Sequence, residues 1–133
     1  NMKVTSYILS KKLAEAGFEA ETNFIWAWSG DDHQLFCMPN IRAERQDEKD
    51  FLAYDLETIL EALPKQHDFF TRGVGKYELR IWYHEDKAFI GYQNFDGFDK
   101  LLTLEQEENE SLADTAARLL LTLVEKGLLT FKK

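Results

Sequence analysis

Ser111-Leu112-Ala113-Asp114-Thr115-Ala116-Ala117-Arg118-Leu119-Leu120-Leu121-Thr122-Leu123-Val124-Glu125-Lys126-Gly127-Leu128-Leu129 reads as a helix with both of its ends written in. Ser111 offers an oxygen to the backbone N–H three residues on, and Asp114 is placed to reach back, the reciprocal pattern of a capping box. At the far end Gly127, followed by Leu128, suits a glycine in the left-handed conformation with an apolar residue folding over the last turn. At 100° per residue, Leu112, Ala113, Ala116, Leu119, Leu120, Leu123 and Val124 share one side, opposite a narrow stripe of Asp114, Arg118, Thr122 and Glu125. An apolar arc this wide predicts burial against both a sheet and a neighbouring helix.

Working outward, two shorter helices share this grammar. Thr5 or Ser6 caps a helix through Ala16 that stops at Gly17-Phe18, and Asp55 caps one carrying Leu56, Ile59, Leu60 and Leu63 that Pro64 ends. Between them, Asn23 to Trp28 and Gln34 to Met38 read as strands of a hairpin around Ser29-Gly30-Asp31-Asp32. Ile41 to Asp50 holds seven charged residues without an apolar period and reads as a surface loop or irregular helix, the segment most prone to disorder. Tyr77 to His84 alternates, and Glu85-Asp86 turns it into Ala88 to Tyr92. Asp96-Gly97 is a turn signal that lets Lys100 to Leu104 pair back.

The order α-β-β-α-β-β-β-α predicts an α+β domain spanning residues 1–133, an antiparallel sheet of about five strands with three helices mainly on one face.

Composition narrows function more than it defines it. The chain has 133 residues, a size that suits one core, with 44% hydrophobic and 14% aromatic content. A net charge of −8 works against direct binding of nucleic acid or of an anionic membrane surface and allows a basic partner. The single cysteine, Cys37, excludes an internal disulfide and a Cys-rich zinc site; with no membrane-length apolar run and no signal pattern, the expected location is cytoplasmic.

No motif carries a defined chemistry. Gly73-Val74-Gly75-Lys76 lacks the third glycine of a dinucleotide loop, which would fall at Glu78, and precedes a strand, so it reads as a turn. Asp31-Asp32-His33 and His84-Glu85-Asp86 bring acids and imidazoles together only at hairpin tips, and neither predicts a metal site. Cys37, flanked by Phe36 and Met38, reads as a small core residue. No catalytic residue, cofactor or metal is expected. The aromatic strands are more informative: Phe24, Trp26 and Trp28 share a face, and Arg80, Trp82 and His84 share the face that Leu79 and Ile81 do not. Exposed tryptophan beside arginine is the composition of a binding hot spot, which singles out Trp28, Arg80, Trp82 and His84; the competing reading is aromatic packing under long loops.

The runs Ala14-Glu15-Ala16-Gly17-Phe18, Tyr54-Asp55-Leu56-Glu57-Thr58-Ile59-Leu60-Glu61-Ala62-Leu63-Pro64 and Glu110 to Leu129 resemble, in that order, a group of small uncharacterised proteins of bacteriophages, prophages and bacteria. Members often carry tryptophan where Leu120 stands. The resemblance implies a bacterial or mobile-element accessory protein and transfers no activity. The resulting expectations are a non-catalytic module that binds a protein partner, an acidic DNA mimic or anti-defence inhibitor drawing on Glu105 to Glu110, and a small hydrolase or transferase using His33, His67, His84 or Cys37.

Overall fold

The structure, a computed structural model, describes residues 3–29, 31–41, 50–67, 77–94 and 100–131. In chain order the elements are α1 (Tyr7–Glu15), β1 (Thr22–Ser29), β2 (Asp32–Ile41), β3 (Phe51–Ala53), α2 (Leu56–Ala62), β4 (Gln66–His67), β5 (Tyr77–His84), β6 (Lys87–Asn94), β7 (Lys100–Glu105) and α3 (Leu112–Glu125). The α+β class and the three helices are as the sequence predicts. The single sheet of about five strands is not: among the described residues seven strands form two antiparallel sheets, ordered β2-β1-β3 and β4-β5-β6-β7.

The two strands that the sequence hides are the reason for that difference. Phe51, Leu52 and Ala53 are buried in succession, so β3 has no polar alternation to betray it, and β4 is only two residues long. β2 is also longer than predicted, because it starts at Asp32 inside the expected turn and runs on through Pro39. Between the pairs Phe24↔Cys37 and Thr22↔Ile41 the register shifts, so Met38, Pro39 and Asn40 stand opposite Asn23 alone. A proline fits such a bulge on an edge strand, where a missing N–H breaks no ladder bond.

Helix ends follow the local chemistry closely. Ser6, Asp55 and Ser111 each accept from the backbone N–H three residues on, Leu9, Thr58 and Asp114. Gly17 at φ +92° and Gly127 at φ +74° close α1 and α3 alike, with Phe18 N–H bonded to Leu13 O and Leu128 N–H to Leu123 O, each at 2.9 Å. The second half of the capping box does not form. Asp114 Oδ1 instead accepts at 2.8 Å from the backbone N–H of Ser6, the residue that caps α1, tying the starts of two helices together. Burial raises the Asp114 carboxyl above its usual range, while the Ser6 hydrogen bond works in the opposite direction.

One core joins all of this. Leu13 and Phe18, Ile25 and Leu52, Ile59 and Leu63, Ile90 and Tyr92, and Ala116, Ala117, Leu119, Leu120 and Leu123 form a continuous apolar cluster. Both sheets and all three helices contribute to it. On α3 the predicted face is buried at Ala113, Ala116, Leu119, Leu120 and Leu123 and is widened in the first half by Asp114, Thr115 and Ala117, whereas Leu112 and Val124 are half-buried. The Tyr92 hydroxyl donates at 2.7 Å to Pro64 O, pinning the end of α2 to β6, and burial raises its pKa well above the ordinary phenol value.

Candidate functional site: the outer face of the second sheet

Alternation along β5 puts Tyr77, Leu79 and Ile81 toward the core and Glu78, Arg80, Trp82 and His84 on the opposite face. The β5–β6 register sets Trp82 against Phe89, Arg80 against Gly91 and His84 against Lys87. Trp82 and Phe89 stack with ring centroids 5.7 Å apart and planes 11° from parallel, and neither ring belongs to an apolar cluster of the interior. Arg80 reaches Glu78 Oε2 at 3.1 Å and is exposed. His84 is exposed at the strand end, its Nε2 3.9 Å from Glu85 Oε1, a surface pair of little energetic weight.

Beside this strip β7 comes unusually close. A Cβ on Gly91 would sit 2.6 Å from Thr103 Cα and 2.8 Å from Leu102 O, both backbone atoms. The ladder slips between Ile90 and Tyr92, and Leu102 takes φ +52°. Glycine is therefore required where the face bends.

Of the four residues singled out by sequence, the structure brings together Arg80, Trp82 and His84. Trp28 belongs to β1 of the other sheet, opposite His33, and its side chain lies outside what the structure describes. Its neighbour Trp26 takes the packing alternative. The indole N–H donates at 2.9 Å to Thr5 O, and the ring is buried in a second apolar cluster with Val4, Ala53, Tyr7 and Phe24. His33 lies flat on Tyr7 with centroids 3.8 Å apart and presents an edge to Trp26 at 5.4 Å. The sequence expectation missed two of these partners. Phe89 was legible from strand pairing, but Tyr7 has no local signal linking it to His33.

The other candidate chemistries are dispersed. His33 and Cys37 lie four positions apart on one face of β2, roughly 13 Å at strand spacing, and Cys37 is exposed rather than in the core. His84 is on the second sheet, and the His67 side chain lies outside the described residues. Gly73 to Lys76, the charged segment 42–49 and Asp96-Gly97 also lie outside them. Among the described residues no cluster of His, Cys, Asp and Glu could hold a metal ion, and no helix is long and apolar enough to cross a membrane. A cavity of about 200 Å³ between the end of α1 and β3 is lined by Glu15, Phe18, Glu19, Phe51, Leu52 and Tyr54, with no histidine or thiol. Burial pushes the Tyr54 phenol up to about 12, with a backbone hydrogen bond at Ala20 opposing the shift, so it is no base near neutral pH.

In the acidic run after β7 Glu110 is turned inward, while Glu105, Glu107 and Glu108 are exposed. Arg118 binds both Glu110 carboxylate oxygens at 2.7 and 2.8 Å and the backbone oxygen of Glu105 at 2.8 Å. Burial on its own would raise the Glu110 carboxyl, but hydrogen bonds from Arg118, the Glu107 N–H and Thr115 outweigh it and hold the group below its usual range. Glu105 pairs with Lys87 at 3.0 Å. Set against known protein families, curated proteins and solved structures, the chain finds a match in none of the three.

Proposed function

We propose that the protein is a non-catalytic binding module that meets a protein partner through the outer face of β5 and β6. The observation that carries this reading is the Trp82–Phe89 stack, a half-buried aromatic pair outside the buried clusters, on the same face as the exposed Arg80 guanidinium. A flat aromatic pair with an arginine beside it can bury much area at low entropic cost and add directional hydrogen bonds, which is what interface anchors do. The acidic-mimic reading draws less support, because Glu110 is held by Arg118 and the exposed Glu105, Glu107 and Glu108 cluster at one end of β7 instead of being spaced along a surface like phosphates. The hydrolase reading needs histidines and Cys37 around one cavity, and the described ones are separated. The setting, an accessory protein of bacterial or mobile-element origin, rests on the sequence resemblance alone.

The test is affinity capture with the intact chain beside Trp82→Ala and Arg80→Ala, each checked for an unchanged thermal midpoint. A partner retained by the native chain should be lost with Trp82→Ala and weakened with Arg80→Ala. A partner list indifferent to both substitutions overturns the assignment.

A further inference from the structure

β2 is an edge strand of the first sheet, separate from the outer face of β5 and β6 in the second. Among the described residues β2 is hydrogen-bonded only to β1, and it exposes Leu35, Phe36 and Cys37 in succession, Leu35 at 37% and Phe36 at 40%. The His33 backbone N–H is taken at 2.8 Å by Asp32 Oδ1, and Tyr54 O, turned away from β1 to accept from the Thr5 N–H, sets residues 24 and 26 of β1 toward β3 and residues 25 and 27 toward β2. Antiparallel alternation then turns the backbone groups of residues 33, 35 and 37 away from β1, while those of 34 and 36 pair with it.

Two stops bound the open edge. On one side the His33 N–H is capped by Asp32; on the other, Pro39 has no N–H and lies in the bulge of residues 38–40. Both stops are three residues from Phe36. When β2 runs antiparallel to itself about Phe36, residue 33 of one copy falls opposite residue 39 of the other, so the two blocked positions coincide. Leu35 and Cys37 then exchange backbone hydrogen bonds with Cys37 and Leu35 of the second copy, and the two Phe36 side chains meet as a close cross-strand pair. Charge favours the same occupant: Asp32 is the one residue among Asp, Glu, Lys and Arg in β2, a strip of low charge on a chain of net charge −8 that otherwise repels its own kind.

We propose that β2 is a homodimerisation edge, two copies pairing antiparallel through Leu35 to Cys37 with Phe36 on the two-fold axis. One short strand pair buries less than the roughly 1,200 Å² of a standard interface, so the dimer is weak and concentration-dependent.

Sedimentation equilibrium of the full chain in reducing buffer should show reversible self-association that Phe36→Lys abolishes with the thermal midpoint unchanged. Register is read by disulfide trapping in a Cys37→Ser background. Phe36→Cys places two thiols on directly opposed residues, about 4.5 Å apart between Cα atoms, whereas Leu35→Cys places them on the diagonal at about 7–8 Å, beyond disulfide reach. Dimer trapping at least tenfold faster for Phe36→Cys, with both variants folded by circular dichroism, supports the assignment. A chain that stays monomeric at the highest soluble concentration, a dimer that survives Phe36→Lys, or faster trapping through Leu35→Cys overturns it.

Discussion

The two sheets bury themselves in different ways. In β2-β1-β3 the central strand is covered on both faces, Ile25 by the common core and Trp26 by the segment from Val4 to Tyr7, and what stays open is an edge. In β4-β5-β6-β7 one face, with Ile90 and Tyr92, is sealed by α3 and its neighbours, and what stays open is the other face, with Trp82 and Phe89. Asn23 to Trp28 and Tyr77 to His84 are both aromatic, alternating strands, yet Trp26 is buried and hydrogen-bonded to Thr5 O while Trp82 is half-buried against Phe89. The difference comes from what the rest of the chain lays over each strand.

The sharpest way to break this comparison is to remove what both sheets lean on. Leu120 is fully buried where α3 meets the core, so Leu120→Asp should abolish cooperative unfolding, and Leu120→Ala should cost about 2–5 kcal/mol in urea denaturation. An unchanged midpoint for Leu120→Asp would mean that the two sheets do not share one core.

Next comes the contrast between the tryptophans. Trp26→Ala removes a buried ring and its hydrogen bond to Thr5 O, for an expected loss of about 3–5 kcal/mol; Trp82→Ala should cost no more than about 1 kcal/mol. Equal losses would place Trp82 in a covered interior. In the second sheet, Gly91→Ala drives a methyl group into the β7 backbone and should cost about 1–3 kcal/mol, measured by thermal melting. A neutral result would show that β7 can move away from β6.

The smallest effect concerns the linker that joins the second sheet to α3. Because the Glu110 pKa is depressed in the folded state, its stabilisation is present above the ordinary carboxylate pKa and is lost as pH falls through the depressed value. Asp114, whose pKa is raised, acts in the opposite sense: the folded state holds its proton more readily, so its contribution grows as pH falls through the raised value. Glu110→Gln should therefore lower stability near neutral pH by about 1–2 kcal/mol and flatten the decline over the acid range below the ordinary carboxylate pKa. Denaturant midpoints across that range check it; an undiminished acid decline would assign the loss to other carboxylates.

Local chemistry was legible along the chain. Ser6, Asp55 and Ser111 as helix caps, Gly17 and Gly127 as helix stops, Pro64 as the end of α2, the alternation of β5 and the turn at Glu85-Asp86 follow from residues within a few positions of one another, and the sequence alone determined them. It also determined that Arg80, Trp82 and His84 share a face, because side-chain direction along a strand has a period of two. Tertiary structure decided the rest. It alone revealed β3, whose burial on both sides erases alternation, and divided the strands into two sheets. It sent Asp114 to Ser6, 108 residues away, buried Trp26 beneath Tyr7 and left Trp82 half-buried against Phe89. Those outcomes depend on which distant segment packs over a given face, and pairing across such separations leaves no periodic mark in the chain.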